Sequence, residues 1–255
     1  MRTITPLHRE RPIDTLARCG GYYECPKDAS GKRLGPLAGY AGRDEQGRQY
    51  VGDVYVNFAK AERHLPVLRS IAEKLSFKLS HKMRLPGTYA HYANVTGFCG
   101  APEGGKALAV MLANYFGNQY IFPEKKVITA ATPNSREISK LVFDRHEPDE
   151  GDLWWITEDV CNNFSTTETM VNLIESFGAR VVGVVCFLNR SLEVESEYRP
   201  SPGLVLPVVS LIRQEIDQYN QDDSAVAEDV RAGNVVWKPK NNWDKLAGAV
   251  AAAKG

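Results

Sequence analysis

The sequence carries no net charge. Its 31 Lys and Arg residues are matched by 31 Asp and Glu among 255 residues. No overall field for nucleic acid or an anionic membrane surface is therefore expected, although a local basic pocket stays open. No apolar run nears the ~20 residues that a membrane-spanning helix needs, so no membrane role is expected. Cysteine is scarce: Cys19, Cys25, Cys99, Cys161 and Cys186 are odd in number and far apart, with no C-x-x-C. That argues against a disulfide framework or a zinc site and fits reduced thiols in the cytoplasm. The histidines (His8, His64, His81, His91, His146) show no metal-ligand spacing, and no protein-borne metal site is expected. The opening "MRTITPLHRERPID" is charged and lacks an apolar stretch, so no secretory signal is expected there. Internal repeats and low-complexity tracts are missing too.

What is present is an ordinary globular balance, 43% apolar and 24% charged, at a length that allows one large domain or two small ones. Residues 20–52, rich in Gly, Lys, Arg and Asp, read as hairpins or loops. A strand signal at 53–62 precedes a helix over 62–79 with Leu65, Leu68, Ile71, Ala72 and Leu75 on one face. A strand over 93–100, a helix over 106–116 burying Leu108, Met111, Leu112 and Tyr115 and stopped by Gly117, and a strand over 119–123 make one unit. Residues 124–140 are polar and weakly periodic, as in a mobile loop or hairpin. A second unit runs from a strand at 152–157 through a loop at 158–164 and a helix at 165–177 to a strand at 180–188. In it Ser165 and Glu168 have capping-box spacing, and Met170, Ile174 and Phe177 form the apolar stripe. The last strand is apolar almost throughout, as in a parallel strand covered on both faces. Two βαβ units predict a doubly wound sheet with its ligand beyond the carboxyl ends of the strands. After 196, three prolines and short helical patterns predict an extension of the same domain, with two tryptophans packing back on the body.

The stretch "LWWITEDVCNNFSTT" (153–167) carries the chemistry. Amides at a helix start, with the polar side chains of Asn162, Asn163, Ser165, Thr166 and Thr167, make a phosphate site. Glu158 and Asp159 would repel a phosphate, but ionised carboxylates accept hydrogen bonds from vicinal sugar hydroxyls. A phosphorylated pentose satisfies both. Solvated loop acids beside a plain capping box are the alternative. Cys161, close to the helix start, has either a lowered pKa or the role of a buried structural thiol.

Hydrophobic strand, paired acids, hydroxyl-bearing loop, helix and strand together resemble the PRPP-binding signature of type I phosphoribosyltransferases, closest to the orotate phosphoribosyltransferases. Their loop reads like D-D-V-I-T-x-G-T, where this chain has Glu158-Asp159-Val160-Cys161-Asn162-Asn163-Phe164-Ser165. The likeness continues without gaps to "LNR" (188–190), where the family has L-D-R. More loosely, "SGK" (30–32) and "DVYVNF" (53–58) are similar to the family's N-terminal substrate segment, "GAPEGGKALA" (100–109) to its pyrophosphate loop, and "FPEKK" (122–126) to the lead into its catalytic loop. Phe164 stands where the family has glycine, Asn162 and Asn163 replace hydroxyl or small residues, and Glu124 replaces an arginine. The histidine-glycine pair of the family's loop is missing from 126–140.

The resemblance implies an α/β fold with a mostly parallel sheet flanked by helices and a small hood. It implies one domain over 1–255, with hood 1–60, core 61–195 and extension 196–255. The implied reaction moves ribose 5-phosphate from PRPP to a nucleobase, orotate first, giving orotidine 5'-monophosphate and pyrophosphate. Glu158 and Asp159 would hold the ribose hydroxyls, and Asn162, Asn163, Ser165, Thr166 and Thr167 the 5-phosphate. Gly104, Gly105, Lys106, Arg136 and Lys140 would bind pyrophosphate, Lys125 and Lys126 would act in catalysis, and Arg190, Tyr55 and Val56 would meet the base. Mg²⁺ would travel mainly on the pyrophosphate oxygens, and a cytoplasmic homodimer is implied. Another purine or pyrimidine base, or a PRPP- or nucleotide-sensing homologue with weak turnover, stays open.

Overall fold

The computed structural model describes residues 3–7, 9–83, 94–129 and 138–253. They form two compact units, Met1–Pro6 with Glu62–Gln214 and Leu7–Ala61 with Glu215–Gly255. The second unit opens with α1 (Pro12–Arg18), β1 (Tyr22–Glu24), β2 (Leu37–Arg43), β3 (Gln49–Gly52) and β4 (Val54–Val56), and α2 (Ala59–Glu62) lies across its boundary. The first unit holds α3 (Leu65–Met83), β5 (Gly97–Gly100), α4 (Lys106–Phe116), β6 (Gln119–Ile121), β7 (Glu124–Thr129) and β8 (Ile138–Val142). It continues with β9 (Leu153–Cys161), α5 (Ser165–Glu175), β10 (Arg180–Asn189), β11 (Glu197–Ser201) and β12 (Leu204–Arg213). The chain then returns to the second unit with α6 (Ala227–Arg231), β13 (Val235–Val236) and α7 (Trp243–Ala252).

The first unit is built on a six-stranded sheet in the order β11-β12-β10-β9-β5-β6. Neighbours are parallel except β11, which runs antiparallel to β12 at the edge. Strand alternation gives the sheet two buried faces. On one, Trp154 and Ile156 of β9 meet Met170, Val171 and Ile174 of α5. On the other, Phe98, paired in register with Trp155, stacks on Phe116 of α4 at 5.7 Å. Gly183 makes room for Trp155, since a Cβ there would fall 2.2 Å from the indole ring. α4 stops at Gly117, whose φ of 69° is the left-handed conformation the sequence predicts for that glycine. No helix among the described residues is long and apolar enough to cross a membrane.

Several expectations need correction. β9 runs to Cys161, so Glu158 and Asp159 lie within a strand and not in the loop after it. Residues 204–213 form a strand, next to the edge of the sheet, where short helices are expected; the β-branched residues Val205, Val208, Val209 and Ile212 outweigh Pro207 within the run. The core sheet thus extends past residue 195. Leu65 and Tyr115, expected on buried helix faces, are both 55% exposed.

In the second unit β2 pairs antiparallel with β3 and parallel with β13, so the two ends of the chain share one small sheet. Trp243 packs with Tyr23, Cys25, Val236 and Leu246, whereas Trp237 is partly exposed and lies against Gly39.

Candidate active site

The strand order reverses between β5 and β9. From β5 the chain passes through α4 to β6 at one edge, then returns to β9 on the other side of β5 and builds outward through β10 to β12. α4 and α5 therefore leave on opposite faces, and a crevice opens at the carboxyl ends of β5 and β9, the place where open α/β sheets bind ligands.

The crevice walls come from residues the sequence singles out. β5 stops pairing at Gly100, opposite Thr157, whereas β9 continues for four more residues. The segment 101–105 folds back over the protruding end, with Ala101 N–H donating to the Thr157 carbonyl at 2.8 Å. Its two glycines are required by proximity. A Cβ on Gly105 would fall 2.0 Å from the Thr157 oxygen, and one on Gly104 would fall 2.2 Å from the Asp159 carboxylate. Gly104 is thus set against the Asp159 side chain and Gly105 against the backbone just before Glu158. The Pro102–Glu103 peptide of this segment is cis.

The two neighbouring acids differ in environment. Glu158 is buried, and desolvation, helped by the Asp159 charge beside it, pushes its carboxyl well above the usual 4.5. Asp159 is only half-buried and accepts from the Val160 N–H at 2.8 Å. Burial and the neighbouring charge thus both disfavour the ionised form of Glu158.

At the start of α5, the N-cap is Phe164 and not Ser165, so the expected capping box does not form. Asn163 takes over, its Oδ1 accepting from the Ser165 N–H at 3.3 Å and from the Ser165 hydroxyl at 3.0 Å. Ser165 and Thr166 are exposed, while Thr167 is buried in the body. Asn162 is half-buried. Phe164 has φ 58°, a left-handed conformation that costs a bulky residue roughly 1–2 kcal/mol and that glycine adopts freely. Its ring does not point into the crevice but packs with Cys161, Val184, Cys186 and Val208. The Cys161 thiol, hydrogen-bonded to Cys186 and buried, is held well above its ordinary pKa, which makes it a structural thiol.

A cleft of about 750 Å³ runs along the exposed side of α5 and is lined by Pro102, Lys125, Lys140, Ser165, Thr166, Thr169 and Asn172, among others. It joins the paired strands β7 and β8 to the hydroxyls of the helix start. Thr169 and Asn172 escape a reading centred on the loop, yet they lie four and seven residues after Ser165, the spacing that continues its helix face. Lys106 bonds Glu103 at 3.2 Å and lies over the Phe122 ring. Lys126 turns elsewhere, to Asp144 at 2.6 Å. Arg190, 6% exposed, has its backbone N–H on the Cys161 carbonyl at 2.9 Å, so it is tied to the end of the acid-bearing strand with its side chain enclosed. Tyr55 and Val56 belong to the second unit, where Tyr55 faces Trp243 at 6.2 Å. Arg136 lies outside the described residues. Among those described, no group of three or more His, Cys, Asp or Glu side chains could hold a metal ion.

Known structures share this architecture. Orotate phosphoribosyltransferase from Aeropyrum pernix aligns at 16% identity and TM-score 0.51, covering 78% of this chain and 92% of that one. UMP synthase from Leishmania donovani aligns at 14% identity and TM-score 0.52 over 95% of this chain, which spans 41% of that protein. No family model matches the chain. The fold is that of the type I phosphoribosyltransferases.

Proposed function

We propose that the chain is a phosphoribosyltransferase that moves ribose 5-phosphate from PRPP to a nucleobase, orotate first, and releases pyrophosphate. One observation carries the reading: the Gly104 backbone lies against the Asp159 carboxylate at the strand-order reversal, so the segment that would hold pyrophosphate and the acid that would hold the sugar share one crevice.

Asp159 and Glu158 hold the ribose hydroxyls. Asn162, Asn163, Ser165 and Thr166 surround the 5-phosphate at the start of α5, with the dipole of that helix favouring the anion. The base nitrogen attacks C1 with its lone pair as the bond to the pyrophosphate oxygen breaks, and the electron pair leaves on pyrophosphate. C1 gains cationic character and the leaving group gains negative charge, so catalysis is positioning and charge stabilisation. Gly104 and Gly105 offer close backbone approach to that group, and Lys106, Lys125, Lys140 and Arg136 the neutralising charge. Carboxylate and phosphate oxygens are the hard donors that Mg²⁺ prefers, and the ion, carried by pyrophosphate, would supply further neutralisation. The resemblance alone assigns Lys126 to catalysis, and Arg190, Tyr55 and Val56 to the base. A homodimer in the cytoplasm belongs to the same proposal.

The test is pyrophosphate release from PRPP against a panel of orotate and other purine and pyrimidine bases. Wild type should release pyrophosphate with one base and not with the rest. Asp159→Asn should lose about ten- to a hundredfold in PRPP affinity, the cost of a charge-assisted hydrogen bond. Unchanged activity in that variant would remove the role given to the acid. PRPP binding without release for any base would make the chain a sensor.

A further inference from the structure

Three residues, Asn162, Asn163 and Phe164, turn the chain from the end of β9 into α5. The last has φ 58° and ψ 13°, with no side-chain cap. A bulky residue enters that region only when its surroundings hold it there. Here they do. The Phe164 ring is 3% exposed and stacks on Tyr198 of the edge strand β11, with centroids 4.7 Å apart and planes at 25°. Cys161, Val184, Cys186 and Val208 enclose the rest of it. A glycine at 164 would adopt the same φ without strain but would leave the turn free to adopt many others. The ring removes that freedom.

We propose that Phe164, anchored by Tyr198, is a positioning residue for the phosphoryl group of the ligand. It touches no ligand; it fixes the turn from which Asn162 and the first turn of α5 present their polar groups, so that this part of the site is set before the ligand arrives. Asn163 serves the same turn from its polar side through its bonds to Ser165. The proposal rests on the phosphoribosyl reading above.

Calorimetric titration of the full chain with ribose 5-phosphate and, separately, with pyrophosphate tests it. The chains compared are wild type, Phe164→Gly, Tyr198→Ala, Tyr198→Phe and the double variant Phe164→Gly/Tyr198→Ala. Loss of pre-organisation predicts that Phe164→Gly and Tyr198→Ala each weaken ribose 5-phosphate about tenfold and leave pyrophosphate within about twofold. Tyr198→Phe, which keeps the stack, should bind like wild type. The double variant should be no weaker than Phe164→Gly alone, because the two rings act as a unit. Circular dichroism checks folding, and Tyr198→Ala carries the test if Phe164→Gly does not fold. Wild-type affinity in both ring variants, or equal loss of both ligands, overturns the positioning role alone. A wild-type chain that binds neither ribose 5-phosphate nor PRPP overturns the phosphoribosyl reading itself.

Discussion

Gly104 and Asp159 meet across the crevice with no room for a methyl group, since a Cβ at 104 would fall 2.2 Å from the carboxylate carbon. Asp159 is half-buried, so in Gly104→Ala either it swings away or the 101–105 backbone shifts. Such overpacking costs about 1–3 kcal/mol. Because either change displaces a group proposed to hold PRPP, its affinity should fall about tenfold or more, measured by calorimetry beside a thermal melt. A lowered melting temperature with unchanged PRPP affinity would contradict the shared crevice. Glu158 gives a second prediction, in the ligand-free chain. Its folded pKa is raised above the ordinary 4.5, so the folded state holds a proton that the unfolded chain releases near pH 4.5. Its contribution to stability is intact below that pH and is lost as pH rises through the folded value. Glu158→Gln cannot ionise. Its melting temperature should therefore gain on wild type from pH 4.5 upward and level off once the folded pKa is passed. A difference constant across that window would mean that Glu158 is not held protonated.

Among the elements, the βαβ unit around α5 is the most legible, because an apolar strand, a 3.6-residue stripe and a second apolar strand are all local signals. The ends of those elements are less so. Val160 and Cys161 continue β9 because β10 offers partners at Leu188 and Asn189, a tertiary cause absent from the local pattern. The Ser165–Glu168 spacing reads as a capping box, yet Asn163 reaches Ser165 first and Phe164 takes the N-cap. The left-handed turn at 164 is legible only through the family's glycine, and the ring that occupies it is explained by Tyr198, thirty-four residues away. The polar stretch 124–140 reads as a loop or hairpin; β7 and β8 pair antiparallel, with Lys126 opposite Lys140, and residues 130–137 lie outside the described residues. Paired acids and glycines stand out in the sequence because their chemistry is unusual. Thr169 and Asn172 do not, since a Thr and an Asn on a helix are common surface residues until a cleft runs past them.

At the scale of the molecule, the division into two units is the least legible feature, because one of them is assembled from both ends of the chain. The strand β13 has two residues and no pattern of its own; its pairing with β2 exists only after the ends meet. Arg33 is the tie. Its Nε donates to Asp53 at 2.5 Å, and its Nη1 donates to the Ala225 carbonyl at 2.6 Å and to Asp229 at 3.1 Å. Lys27 gives Asp53 a second partner at 2.9 Å, and these bonds, outweighing desolvation, hold the Asp53 carboxyl below its ordinary pKa. Arg33 and Asp53 are 13% and 16% exposed, enclosed enough that removing one partner strands the other. Arg33→Ala should therefore cost about 3 kcal/mol, near the lower end for a broken buried pair because Lys27 remains. Hydrogen exchange shows where the loss falls. The amides of Leu37, Val51 and Asn234, bonded to Asn234, Tyr219 and Asp229 respectively, should lose protection together. Those of β9 and β10 should keep theirs. If β9 and β10 lose protection to the same degree, the chain unfolds as one block, and the N- and C-terminal segments do not form a separate cooperative unit.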